Sequence, residues 1–202
     1  GGCGVHGEGM LIDVPRGLNG VAVTDTTIGD VLGDEGRFHY RGHDATALAR
    51  TRAFDEVWHL VAVGHLPSPD ELAAFRTAAA AARRLPRSLR PVLAPLAVAA
   101  GAKLGRVRAA LAVAADELGL RPLIDLEPAE RQAQAIAVSA VMPAIVAALH
   151  RASLGLDPVA ADDDLGFAAA YLQMVTGERP GDDAARALEQ YLMLTIDHGF
   201  NA

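Results

Sequence analysis

Ala133-Gln134-Ala135-Ile136-Ala137-Val138-Ser139-Ala140-Val141-Met142-Pro143-Ala144-Ile145-Val146-Ala147-Ala148-Leu149 is the most apolar stretch of the chain. Two structures compete for it, a membrane span and a helix packed among other helices. A span needs about 20 predominantly apolar residues, and this stretch is shorter and interrupted by Gln134, Ser139 and Pro143. The spacing therefore predicts a central helix over Glu130–Ser153, buried on most sides. Pro143 should kink it, because proline lacks the N–H for one internal hydrogen bond.

Working outward toward the C-terminus, apolar periodicity predicts helices over Leu165–Val175 and Asp182–Asp197, with Thr176-Gly177-Glu178-Arg179-Pro180-Gly181 between them. Toward the N-terminus, Pro122–Pro128 reads as a connector, and an alanine-rich helix ends at Leu118 with Gly119 closing it. Pro86–Ala100 is a further apolar segment. Ser68-Pro69-Asp70-Glu71 is a helix start, with proline and acidic residues in the first turn, for a helix running to Arg84. Phe54–Val63 forms another, stopped by Gly64, and Asp44 caps a helix ending near Arg52. Before Tyr40 the runs are short and β-prone: Val21–Thr24, Thr27-Ile28 and Arg37–Tyr40, with turn chemistry at Gly33–Gly36. The result is seven or eight helices behind a short hairpin. No βαβ alternation occurs, which excludes a doubly wound nucleotide fold.

Composition agrees. Apolar residues make up 51% of the 202 and charged residues 21%, enough to bury a core and wrong for a disordered chain. Aromatics are only 4%, and the abundance of alanine and leucine favours helix. A net charge of −7 argues against a nucleic-acid surface. The local clusters Arg83, Arg84, Arg87, Arg90 and Arg106, Arg108 read as solvated helix edges. The lone cysteine, Cys3, permits no internal disulfide and fits a reducing cytoplasm. The N-terminus lacks the basic-then-apolar pattern of a signal peptide. Gly1–Gly9 has no periodicity, and Cys3 with His6 is too few ligands for a metal, so residues 1–16 read as a disordered leader.

For chemistry, the chain has no glycine-rich phosphate loop, no His-Glu-x-x-His and no nucleophile elbow. Asp162, Asp163 and Asp164 precede a helix, so capping and dipole compensation explain them better than a metal does. His39, His43, His59, His65 and His150 are scattered singly, with His59 expected to pack beside Trp58. At the C-terminus an apolar helix runs into Asp197, His198 and Asn201. A histidine there can donate a hydrogen bond to an anionic substrate, with the neighbouring carboxylate fixing its tautomer. An ordinary helix C-cap accounts for the same pattern.

Asp197-His198-Gly199-Phe200-Asn201-Ala202 resembles the Asp-His-x-x-Asn-Ala-Ser segment of citrate synthases, without the final serine. Three further stretches agree, in order. Gly17-Leu18-Asn19-Gly20-Val21, with Thr24 to Ile28, Gly36-Arg37 and Tyr40-Arg41-Gly42-His43-Asp44, is similar to the N-terminal signature of that family. Phe54-Asp55-Glu56-Val57-Trp58-His59-Leu60 with Gly64-His65-Leu66-Pro67 resembles its Phe-Glu-Glu-Val-x-x-Leu-Leu-x-x-Gly-x-Leu-Pro helix. Leu172-Gln173-Met174-Val175-Thr176-Gly177-Glu178-Arg179-Pro180 resembles the link before the histidine helix. In the middle, Arg90-Pro91-Val92 stands where many members carry His-Pro-Met, and Leu93–Leu123 matches only in character.

The resemblance implies a mainly α fold, the multi-helical large domain of citrate synthase type, with residues 17–202 its incomplete N-terminal part. It implies an acyltransferase that condenses acetyl-CoA with oxaloacetate to citrate and CoA. It also implies a cytoplasmic homodimer, or association with a C-terminal half, with no bound cofactor, metal, nucleic acid or membrane. His198 takes the place of the histidine that hydrogen-bonds oxaloacetate, and Asn201 that of its neighbouring asparagine. The enol-stabilising histidine, the ketone-facing histidine, the carboxylate base and the key arginines belong to later segments that do not occur in this sequence, so no catalytic set is complete here. Propionyl-CoA as the donor, giving 2-methylcitrate, and a non-catalytic helical partner are the alternatives, with an unrelated helical binding domain behind them.

Overall fold

The computed structural model describes residues 15, 16, 21, 25–197 and 199. In chain order the elements are β1 (Gly29–Leu32), β2 (Arg37–Tyr40), β3 (His43–Asp44), α1 (Ala45–Thr51), α2 (Phe54–Val63), α3 (Pro69–Ala82), α4 (Leu93–Val98), α5 (Lys103–Ala114), α6 (Pro128–Ser153), α7 (Phe167–Thr176) and α8 (Asp182–Leu194). The fold is mainly helical, as expected, with eight helices and a small sheet among the described residues.

The three strands pair in the order β1-β2-β3, antiparallel throughout. Leu32 faces Arg37 across the turn at Gly33–Glu35, which Gly36 closes with φ +65°. The first arm therefore runs back to Gly29, opposite Tyr40, rather than lying on Thr27-Ile28. Ile28 still contributes its carbonyl, which accepts from the Arg41 N–H at 2.8 Å. The third strand was not expected. It exists because Arg41 and Gly42, at φ +50° and +82°, make a two-residue hairpin turn that returns His43 to face Tyr40. Of the expected Val21–Thr24 run, residues 22–24 lie outside the described residues, as do residues 1–14 of the leader.

Where helix ends are set by neighbouring residues, they fall where the sequence places them. Asp44 accepts from the Ala47 N–H at 2.8 Å and caps α1. Glu71 accepts from the Ser68 N–H at 2.8 Å, the reciprocal half of a capping box at the start of α3. Gly64 and Gly177 close α2 and α7 with φ +111° and +88°. The segment from Pro86 is instead a single turn, Arg87–Leu89, followed by the short α4. The three aspartates do not cap α7, whose N-cap is Gly166. Asp162 accepts from the Asp164 N–H at 3.0 Å in a local turn, and Asp163 lies 3.8 Å from Arg84.

Helix α6 is long and apolar enough to cross a membrane by length and composition, and 44% of its most apolar window is buried within the fold. It packs against α2, α3, α4, α5 and α7. Burial on most sides holds for Ala140–Leu149, whereas the turns up to Ser139 keep one side in solvent. One core joins α1, α2 and α3 to Phe167 and Met193, and a second joins α4 and α5 to α6. In the first, Phe54 stacks on Phe167 at 4.6 Å, and Trp58 meets Phe75 edge-on at 4.9 Å. Each such pair contributes about 0.5–1.5 kcal/mol beyond the area it buries. His59 is buried here too, but packs edge-on against His65 and Phe75, its Nδ1 2.9 Å from the His65 carbonyl oxygen. That contact assigns the proton to Nδ1.

Candidate functional site

The segment with the strongest chemical signal follows α8, so the packing of that helix fixes where the signal lies. Helix α8 runs alongside α1, α2 and α7. Arg186 donates from Nη2 to the Ala49 carbonyl and from Nη1 to the Arg52 carbonyl at 2.9 Å, while Glu189 accepts from the same Nη1 at 3.1 Å. Gln190 adds a bond to the Ala49 oxygen at 3.3 Å. These carbonyls belong to the last turn of α1, where the backbone has no helical partner and a cation is favoured. One side chain thus closes α1 and locks α8 in rotation. The pattern was not visible in the sequence, because Arg186 and Ala49 are far apart along it.

The helix ends at Leu194, sooner than expected, with Thr195 as its cap. Asp197 then reaches the hairpin. Its carboxylate lies against Gly29, where an added Cβ would overlap Oδ2. Any side chain at position 29 would displace Asp197. Across the β1-β2 pair from Gly29 is Tyr40, 1% exposed, whose hydroxyl has no well-formed hydrogen bond among the described residues. Burial chiefly pushes the Tyr40 phenol up to about 12; the nearby Asp197 N–H opposes the shift and the Asp197 charge adds to it. Asp197 thus lies beside the sheet, at the start of the segment bearing His198 and Asn201. Those two candidate substrate-binding residues lie outside the described residues.

Three stretches of the sequence resemblance fall at joints of this architecture. Tyr40-Arg41-Gly42-His43 is the β2-β3 turn, from which Arg41 donates to the Val61 carbonyl at the end of α2 at 3.2 Å. Gln132 of α6 donates to the next carbonyl, Ala62, at 2.7 Å. Gly64-His65-Leu66-Pro67 is the α2-α3 link, and Thr176–Pro180 the α7-α8 link. Among the described residues no group of three or more His, Cys, Asp or Glu is placed to hold a metal ion.

A family model described as citrate synthase, C-terminal domain, matches residues 17–202. The chain belongs to the citrate synthase family. It is 36% identical to the 2-methylcitrate synthase of Mycobacterium tuberculosis over 190 residues, 94% of this chain and 47% of the relative. The citrate synthase of Haloferax volcanii is 33% identical over 196 residues, 96% of this chain and 51% of its own. The crystal structure of citrate synthase from Pyrobaculum aerophilum superposes with a TM-score of 0.77 at 32% identity, covering 88% of this chain and 46% of that one. The chain thus spans about half the length of the citrate synthase relatives it matches. Their helical fold is the one described above, and the matched region contains the hairpin, α8 and the segment beyond it.

Proposed function

We propose that this chain is the N-terminal half of an acyltransferase of citrate synthase type, which condenses acetyl-CoA with oxaloacetate to give citrate and CoA. Its setting is the tricarboxylic acid cycle in the cytoplasm, and its working form a homodimer. Family membership supports the reaction class. The observation that carries the reading is the position of Asp197 beside Gly29 and Tyr40, which brings the residue preceding His198 to the hairpin. His198 donates a hydrogen bond to oxaloacetate and Asn201 stands beside it. No bound cofactor is required, since acetyl-CoA is itself a substrate. Removing a methyl proton needs a carboxylate base, and the resulting enolate needs a donor at its oxygen. By resemblance, both groups belong to segments this sequence does not contain.

A second reading takes propionyl-CoA as donor and 2-methylcitrate as product. It is favoured by the 36% identity to the Mycobacterium tuberculosis 2-methylcitrate synthase. The test is CoA release from acetyl-CoA or propionyl-CoA with oxaloacetate, using this chain alone and a chain extended through the second half. Release only by the extended chain supports the half-enzyme, and the preferred donor decides between the two readings. Release by the short chain would place the base within residues 1–202 and overturn the division proposed here. Silence of both with either donor would leave the non-catalytic helical partner.

A further inference from the structure

Gly29 is a glycine whose own backbone does not call for one. It pairs with Tyr40 inside the β1-β2 ladder, and its φ lies outside the left-handed region that favours glycine. A glycine inside a strand weakens it, and often marks a place where another group approaches closely. Here the approaching group is the Asp197 carboxylate, whose Oδ2 occupies the room that a Cβ at position 29 would take. Gly29 and Tyr40 stand directly opposite each other, so they share one face of the sheet. The Asp197 N–H and charge both act on the Tyr40 phenol, which places Asp197 on that face.

The chain leading to Asp197 is attached at successive points. Arg186 bonds the Ala49 and Arg52 carbonyls at the start of that path. Met193 is fully buried, and Ile196 packs against the same core that contains Tyr40. Asp197 comes next, and His198 follows after a single peptide, with about 3.8 Å between the two Cα atoms. One peptide leaves little chain in which a displacement at position 197 could be absorbed before position 198.

We propose that Asp197 is a positioning residue for oxaloacetate binding, its carboxylate seated in the room left by Gly29 and so setting where the chain presents His198. The proposal rests on the reading of His198 as the donor to oxaloacetate, and it holds for either acyl donor. It gives Gly29, far from His198 along the sequence, a part in substrate binding. Asp197 itself touches no substrate in this account; it acts through the histidine beside it.

Isothermal titration calorimetry of oxaloacetate into the chain extended through the second half tests it, with circular dichroism confirming that each variant is folded. Gly29→Ala fills the seat and Asp197→Ala empties it, and each should weaken oxaloacetate about tenfold. Because both act through one seat, the double variant should bind no more weakly than the poorer single variant. Steady-state kinetics should show the same selectivity, the KM for oxaloacetate rising while that for the acyl-CoA stays within about twofold. A merely structural role would not separate the two substrates, so an equal rise in both KM values would overturn the proposal. Single variants that bind oxaloacetate as wild type does, or losses that multiply to about a hundredfold in the double variant, would overturn it as well. Asp197→Ala does not crowd the strand, so it decides alone if Gly29→Ala does not fold. A wild-type chain that binds no oxaloacetate would overturn the His198 reading and this proposal together, whereas equal binding by wild type and variants strikes the proposal only.

Discussion

Tyr40 contributes through its ring, since its hydroxyl is buried without a well-formed hydrogen bond among the described residues. Removing an unsatisfied hydroxyl while keeping the ring is close to neutral, so Tyr40→Phe should change stability at pH 7 by less than about 1 kcal/mol. The same substitution should alter the alkaline limb. With the folded phenol raised from 10.0 to about 12, the neutral form is favoured in the fold. Its contribution is complete below pH 10 and lost between about pH 10 and 12. Denaturant unfolding across that window should show a shallower decline for Tyr40→Phe, whereas a large loss at pH 7 would mean that the hydroxyl has a partner. Glu71 has the opposite sign. The Ser68 N–H chiefly, then the His65 ring, holds its carboxyl at about 2. Its contribution is present above about pH 4.5 and disappears as pH falls toward 2. Glu71→Gln should therefore flatten the acid limb of the melting temperature between those values, and an unchanged limb would refute the assignment. The capping role of Glu71 was legible from Ser68-Pro69-Asp70-Glu71, because every partner lies within one turn. The Tyr40–Asp197 contact was not, because it joins the two ends of the described chain.

The same division between local and distant causes recurs among the elements. Helices α1, α2 and α3 start or stop on local signals, and the sequence placed those boundaries closely. Pro86–Ala100 broke into a turn and a short helix around Pro91 and Pro95, and α8 stopped at Leu194 instead of Asp197. The two-residue turn of the third strand rests on Arg41 in a left-handed conformation, which few non-glycine residues adopt and no propensity signals. Of the arginines at the end of α3, Arg84, Arg87 and Arg90 are exposed as expected, whereas charge alone did not reveal that Arg83 is buried. The α1–α8 lock gives this scale its prediction. Arg186→Ala removes bonds to the Ala49 and Arg52 carbonyls and should cost about 1–3 kcal/mol in chemical denaturation. Arg186→Lys keeps a cation at the end of α1 and should recover part of that loss. Full stability in Arg186→Ala would show that α8 is held by its apolar contacts alone.

At the scale of the molecule, several large apolar side chains face outward. Ile124 is 90% exposed and Leu123 68%, side by side on one turn, while Val98, Leu104 and Tyr191 are each exposed by more than 60%. Single exposed apolar residues are ordinary, but the adjacent pair Leu123 and Ile124 makes a small apolar patch that a second surface would cover. The relatives are about twice as long as this chain, so a second half or a second copy is the fitting cover. Produced alone, the 202-residue chain should associate with rising concentration in sedimentation velocity. Leu123→Glu/Ile124→Glu should shift it toward monomer, since burying a carboxylate in an apolar contact is costly and these exposed positions contribute little to the fold. A wild-type chain that stays monomeric and monodisperse at high concentration would refute this argument. A double variant that associates as before would instead move the contact to the surfaces of Val98, Leu104 or Tyr191.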